Sequence, residues 1–224
     1  MGKVMAFARL DFQTIRVYLN LKALGIFLVV AVAVGWSTGS DAALLAVPAA
    51  MECSWATYPC AMSEKANLDT LYTTLSLSRR TVVRGRYVFA LLLVLASLAG
   101  GYIVAAALSL VRRQPFEPLL PLGELGLLFA VFSVVIAAQL PIIFKLGYTA
   151  ARFLAYVPMI GMIVVIVGMG SLSQQEWMAS FLTAASTWLL SHPAAVVAIL
   201  VLVWAAALLG SYALSVRFYA KRDF

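Results

Sequence analysis

A chain that carried out hydrolysis or group transfer would need a nucleophile with a base, or a metal cage, at workable spacing, and the candidates here are few. His192 is the single histidine and stands beside Pro193. A serine hydrolase would need that histidine, and no GxSxG run accompanies it. We read His192 as an interfacial residue. There is no HExxH run and no cysteine–histidine cluster with metal spacing. There is no GxxxxGKS/T phosphate loop, so the chain itself is not expected to bind a nucleotide in that manner. Cys53 and Cys60 lie seven apart in an apolar run. On one face of one helix they would be too far apart to bridge, so reduced packing residues are expected.

Glu52 is the acid that needs an explanation. It stands about ten residues after Asp41 and about twelve before Glu64, which at 1.5 Å per helical residue is near mid-membrane if this run crosses a bilayer. A carboxylate at that depth is costly and usually faces a cavity or a partner. Two roles stand open: a protonated acid hydrogen-bonded to a neighbouring helix, with Gln139 one candidate partner, or a residue lining a cavity.

The elements that would position these residues are apolar. Of 224 residues, 64% are hydrophobic and 11% charged, against roughly 45–50% apolar in a soluble domain. The apolar residues come in long runs, so an all-α polytopic membrane protein is expected. We count six candidate spans, at about 23–38, 42–62, 88–111, 122–144, 153–172 and 194–216. With both termini inside, fourteen of the sixteen Lys and Arg residues fall on inner segments, and only Arg112 and Arg113 fall outside. The inverted orientation would break the positive-inside rule almost completely. The basic excess sets orientation and binds anionic lipid. No basic stripe lies on a soluble domain, so a nucleic-acid partner is not expected. No small-residue cleavage site follows a short apolar core, so no removable signal peptide is expected.

Residues 1–22 mix Phe7, Phe12, Ile15 and Tyr18 with Lys3, Arg9, Arg16 and Lys22. This suits a helix lying in the inner interface; the alternative is a frayed basic tail. On the outer side, 171–193 holds no Lys or Arg, and Trp177, Phe181 and Trp188 fall near one helical face. That segment is a short helix or re-entrant pair, either a gate over a cavity or a passive interfacial anchor. The longest polar interruption is 63–87, with Arg79, Arg80, Arg84 and Arg86 near its end. Within it, Leu68, Leu71, Tyr72 and Leu75 recur at i, i+3, i+4 and i+7, one apolar stripe of a short amphipathic helix. Such a helix at the inner surface can serve as a handle for a cytoplasmic partner.

The same stretch carries a family resemblance. Glu64-Lys65-x-Asn67-Leu68-Asp69, followed by Leu75-Ser76-Leu77-Ser78-Arg79-Arg80-x-Val82-Val83-x-Gly85-Arg86-Tyr87, resembles a signature of the ABC type-2 permease family, the membrane subunits of ATP-binding cassette exporters. Ser76 stands where the subgroup usually has proline, and Ser63 where it usually has an acid. The six-span plan extends the resemblance to the whole chain as one transmembrane domain. It implies a multi-pass subunit of the bacterial plasma membrane that pairs with a second permease subunit, identical or different. A separate ATPase subunit holding ATP and Mg would dock beneath it, and this chain itself would bind no cofactor and catalyse nothing. Residues 63–87 would then be the cytoplasmic coupling loop, with Asn67, Leu68, Asp69, Leu71, Tyr72, Leu75, Arg79 and Arg80 facing the ATPase. Residues 1–22 would be the elbow helix and 171–193 the external gate. The competing expectation is a membrane sensor or immunity subunit that transports nothing.

Overall fold

The computed structural model describes residues 2–16, 21–38, 41–68, 71–72, 77–112, 119–161, 164 and 191–221, and the described elements are all helical. They are α1 (Gly2–Arg16), α2 (Leu21–Thr38), α3 (Asp41–Trp55), α4 (Tyr58–Lys65), α5 (Arg79–Arg112), α6 (Leu119–Leu146), α7 (Tyr148–Ala151), a 3-10 turn (Leu154–Tyr156), and α8 (Pro193–Ala220). Three of them are long and apolar enough to cross a membrane: Arg79–Arg112, Glu124–Leu146 and Pro193–Ala220. They match the expected third, fourth and sixth spans.

α5 is the axis of the fold. Its buried positions include Val82, Arg86, Ala90, Val94, Leu98, Gly101 and Ala105, the single stripe that a 3.6-residue period produces. Along that stripe α5 packs against α1, α3, α6 and α8. Ser78 starts the helix: its Oγ accepts from the Thr81 N–H at 3.2 Å, an N-cap that satisfies one of the free amides of the first turn. The helix therefore begins nine residues earlier than the expected span at 88. Its 34 residues extend about 51 Å, against a hydrocarbon core of about 30 Å. The arginines of the basic loop are thus on helix rather than loop, and the interruption shrinks to 66–78.

The expected second span is two helices. α3 ends at Trp55, residues 56–57 turn, and α4 restarts with Pro59 in its first turn. Proline has no N–H to continue the ladder from the preceding turn but suits a helix start. This corrects the reading that put Cys53 and Cys60 on one face of one helix: they lie on either side of the break. Both are buried thiols outside any disulfide, in separate apolar clusters. Of the expected fifth span, the structure describes residues up to 161 and residue 164. Trp177, Phe181 and Trp188 of the external gate lie outside the described residues, as do Asp69 and Leu75 of the coupling segment.

Candidate functional site

The polar side chains that the sequence distributes over four basic segments converge at one end of the bundle. α1 lies across the start of α5 with Phe7, Ala8, Asp11 and Ile15 turned inward. Gly85 makes this crossing possible. A Cβ at that position would stand 2.6 Å from Phe7 Cδ1 and 3.1 Å from Phe7 Cβ, so only glycine admits the ring this close. Phe7 in turn meets Tyr72 edge to face, with ring centroids 5.1 Å apart at 73°, a favoured aromatic geometry.

The next residue in the chain, Arg86, is buried. Its Nη2 donates to Ser63 Oγ on α4 at 2.5 Å, and its guanidinium lies 5.8 Å from the centre of the Phe144 ring on α6. Asp11 of α1 is 1% exposed, and its Oδ2 accepts no hydrogen bond. Burial pushes the Asp11 carboxyl up to about 6, while the charge of Arg86 pulls it the other way. Tyr87 completes the run. Its hydroxyl is bonded to Ser211 Oγ at 2.5 Å and Ser215 Oγ at 2.8 Å, both on α8. Ser211 also donates to the Ala137 carbonyl of α6. Gly85, Arg86 and Tyr87 therefore join five helices through three consecutive residues.

Two further ties close this end. Arg79 donates to the carbonyls of Tyr219 and Ala220, capping the C-terminus of α8, where free carbonyls carry partial negative charge. Glu64 of α4 accepts from the Tyr148 and Thr149 amides, with Thr149 at 3.3 Å. It caps α7 just past Gly147, whose φ of 81° favours glycine. At the opposite end Arg112 lies 4.8 Å from the centre of the Trp36 ring, joining the last turns of α5 and α2.

The expected coupling residues divide by this geometry. Leu71 is exposed at 49%, Arg80 is exposed, and Leu68 is partly buried against the main cluster. Tyr72 is buried at 4% against Phe7, so it faces the chain's own α1 rather than outward. Arg79 is engaged with α8. Asn67 has φ 50°, and its N–H donates to the Glu64 carbonyl at 3.4 Å. It ends α4 in the left-handed conformation that asparagine tolerates. That turn separates α4 from the Leu71–Tyr72 pair.

The structure has no hydrogen bond between Glu52 and Gln139, the candidate partner in one of the two roles open for Glu52. Gln139 is buried at 1% on α6 and its Oε1 has no partner; Glu52 is partly buried and its Oε2 has none either. Two chemistry-bearing acids were missed in the sequence. Glu124 Oε2 is a further buried oxygen without a partner, and its place near the start of an apolar run was the available signal. Asp11 gave none, since an acid on an interfacial helix reads as solvated. Between α6, Pro158 and α8 lies an apolar recess of about 900 Å³, lined by Leu127, Ala130, Val134, Val201 and Trp204 among others. Trp204 Nε1 donates to Ser133 Oγ at 2.6 Å beside it.

A sequence-family model described as ABC-2 family transporter protein spans residues 9–220. No curated protein and no solved structure matches the chain.

Proposed function

The chain belongs to the ABC-2 family of transporter membrane proteins, and from that premise we propose that it is the permease subunit of a bacterial ATP-binding cassette exporter. Six spans with both termini cytoplasmic would pair with a second permease subunit, and a separate ATPase carrying ATP and Mg would dock at the inner end. The observation that carries this reading is the gathering of α1, α4, the start of α5, α7 and the end of α8 into one tied platform. A partner pushing on such a platform moves every helix joined to it. Among the described coupling residues Asn67, Leu71 and Arg80 are exposed there, and we place the ATPase contact on Leu71 and Arg80. We assign the apolar recess between α6, Pro158 and α8, together with Glu52 on α3 and Gln139 on α6, to the substrate pathway.

Affinity purification in mild detergent is the direct test, with a phosphate-loop ATPase expected among the captured proteins. A truncated interface anchor often costs 2 kcal/mol or more, so Leu71→Ala should lower ATPase capture by about tenfold or more. Arg80→Gln should weaken it less and in a salt-dependent way. Tyr72→Ala should instead lower the stability of the permease itself. Full-yield capture with Leu71→Ala would remove this residue from the interface, and no ATPase at all would favour a non-transporting sensor.

A further inference from the structure

α6 and α8 both have the length and apolarity to cross a membrane, and a small recess opens where both of them end. Lys145 stands in the last turn of α6 and Phe218 in the last turn of α8. Between them and Leu154 of the 3-10 turn lies a volume of about 290 Å³, walled further by Pro141, Ile142 and Leu146. Lys145 is exposed, and its Nζ lies 5.5 Å from the centre of the Phe218 ring. One cation therefore stands against an otherwise apolar wall. Apolar surface continues beside the recess, where Phe153 is 71% exposed and Val157 57%. The surrounding segments are basic: residues 141–161 and 210–221 hold Lys145, Arg152, Arg217 and Lys221 and no acid. Glu64 of α4 reaches the nearby α7, where it is engaged with the Tyr148 and Thr149 amides. The last carbonyls of α8, whose partial negative charge would repel an anion, are taken by Arg79.

We propose that this recess is a binding site for one anionic phospholipid, with the phosphate on Lys145 and the upper part of an acyl chain against Leu146, Leu154 and Phe218. Both helices end here, so the recess lies at the depth where acyl chains give way to head groups. Its volume is at the lower edge of the roughly 300–1,000 Å³ of sites that enclose a small molecule. With apolar walls and an exposed cation, it suits part of a chain whose charged end stays outside. Basic pockets between membrane helices take anionic head groups in this way. A lysine that only reaches for the membrane surface favours anionic lipid in general; the recess adds a shape that holds one molecule. A lipid seated there bridges the last turns of α6 and α8. The site needs these two helices in a membrane, and needs neither export nor an ATPase.

The test is native mass spectrometry of the full chain, purified in mild detergent and given equal amounts of phosphatidylglycerol and phosphatidylcholine. The wild-type chain should retain one phosphatidylglycerol in preference to phosphatidylcholine by about fivefold or more, the scale of one basic residue near a lipid surface. Lys145→Gln should abolish the preference. Lys65→Gln, which removes an exposed lysine on α4, should leave it intact. Leu154→Trp keeps every charge and fills the recess from a half-exposed position, and it should abolish retention as well. All three variants should melt with the wild-type chain in the same detergent. Excess inorganic phosphate should not displace the lipid. Equal retention of the two lipids by the wild-type chain would overturn the site. So would equal losses with Lys145→Gln and Lys65→Gln, full retention with Leu154→Trp, or displacement by inorganic phosphate. No ATPase is present in this experiment, so its failure is separate from a failure to capture an ATPase.

Discussion

Asp11 is a carboxylate placed where carboxylates are rarely tolerated, and the consequence is a pH dependence with a defined sign. Its pKa stands at about 6 in the folded chain against 3.8 as the ordinary value. The folded state then binds the proton more tightly than a state with α1 undocked. Stabilisation from this group is full below the ordinary value and is lost as pH rises through the folded one. The shift corresponds to about 3 kcal/mol between the two limits. Melting in mild detergent should therefore show the wild-type chain losing stability between pH 4.5 and 7.5 by more than Asp11→Asn does. Equal pH dependence in the two chains would show that the carboxyl is not held in this environment. The sequence made Glu52 legible and Asp11 not. An acid inside a long apolar run announces its own cost, whereas the burial of Asp11 depends on α1 lying over α5, a contact between residues far apart in the chain. Arg79 was opaque for the same reason: its place in a basic run reads as solvated, and only the fold brings the last turn of α8 to it.

At the scale of elements, the docking of α1 turns on one missing side chain. Gly85 leaves room for Phe7, and Phe7 supports Tyr72. Gly85→Ala would bring a methyl within 2.6 Å of the ring. Overpacking of this kind costs roughly 1–3 kcal/mol. Phe7→Ala alone loses the aromatic contact. In the double variant the clash is absent, so the two changes should couple by about 1 kcal/mol or more in a double-mutant cycle on detergent melting. Additive losses would mean that the ring does not press on Gly85. The long elements were readable because their apolar runs and periodicity are local properties. The spans matching α5, α6 and α8 came from that signal. The break at 56–57 was present in the sequence as Pro59, but the run stays apolar across it, and hydropathy does not register a turn that buries its own residues. Leu71 and Tyr72 were assigned one apolar face by an ideal helical period, and the packing of Tyr72 on Phe7 of α1 distinguishes them, leaving Leu71 exposed.

For the whole molecule, the ties at one end convert a local question into a global one. Arg79 holds the end of α8, Glu64 holds the start of α7, Arg86 holds α4, and Phe7 with Asp11 brings in α1. Segments so joined must lie on the same side of a membrane, whichever side that is. Trp36 and Arg112 lie at the far end of α5, about 50 Å away by helical rise over its 34 residues. By the charge count the tied end is expected inside. Single cysteines at Ser78, Gln114 and Gln175, in a chain lacking Cys53 and Cys60, test that assignment with an impermeant thiol reagent. Ser78 sits at the tied end as the N-cap of α5; Gln114 and Gln175 lie outside the described residues and fall on outer segments by the charge count. Cells should label at Gln114 and Gln175 before lysis and at Ser78 only after it. Labelling of Ser78 from outside would not displace one loop alone. It would carry α1, α4, α7 and the end of α8 outward with it, place fourteen of sixteen basic residues on the wrong side, and remove the inner surface on which an ATPase could dock.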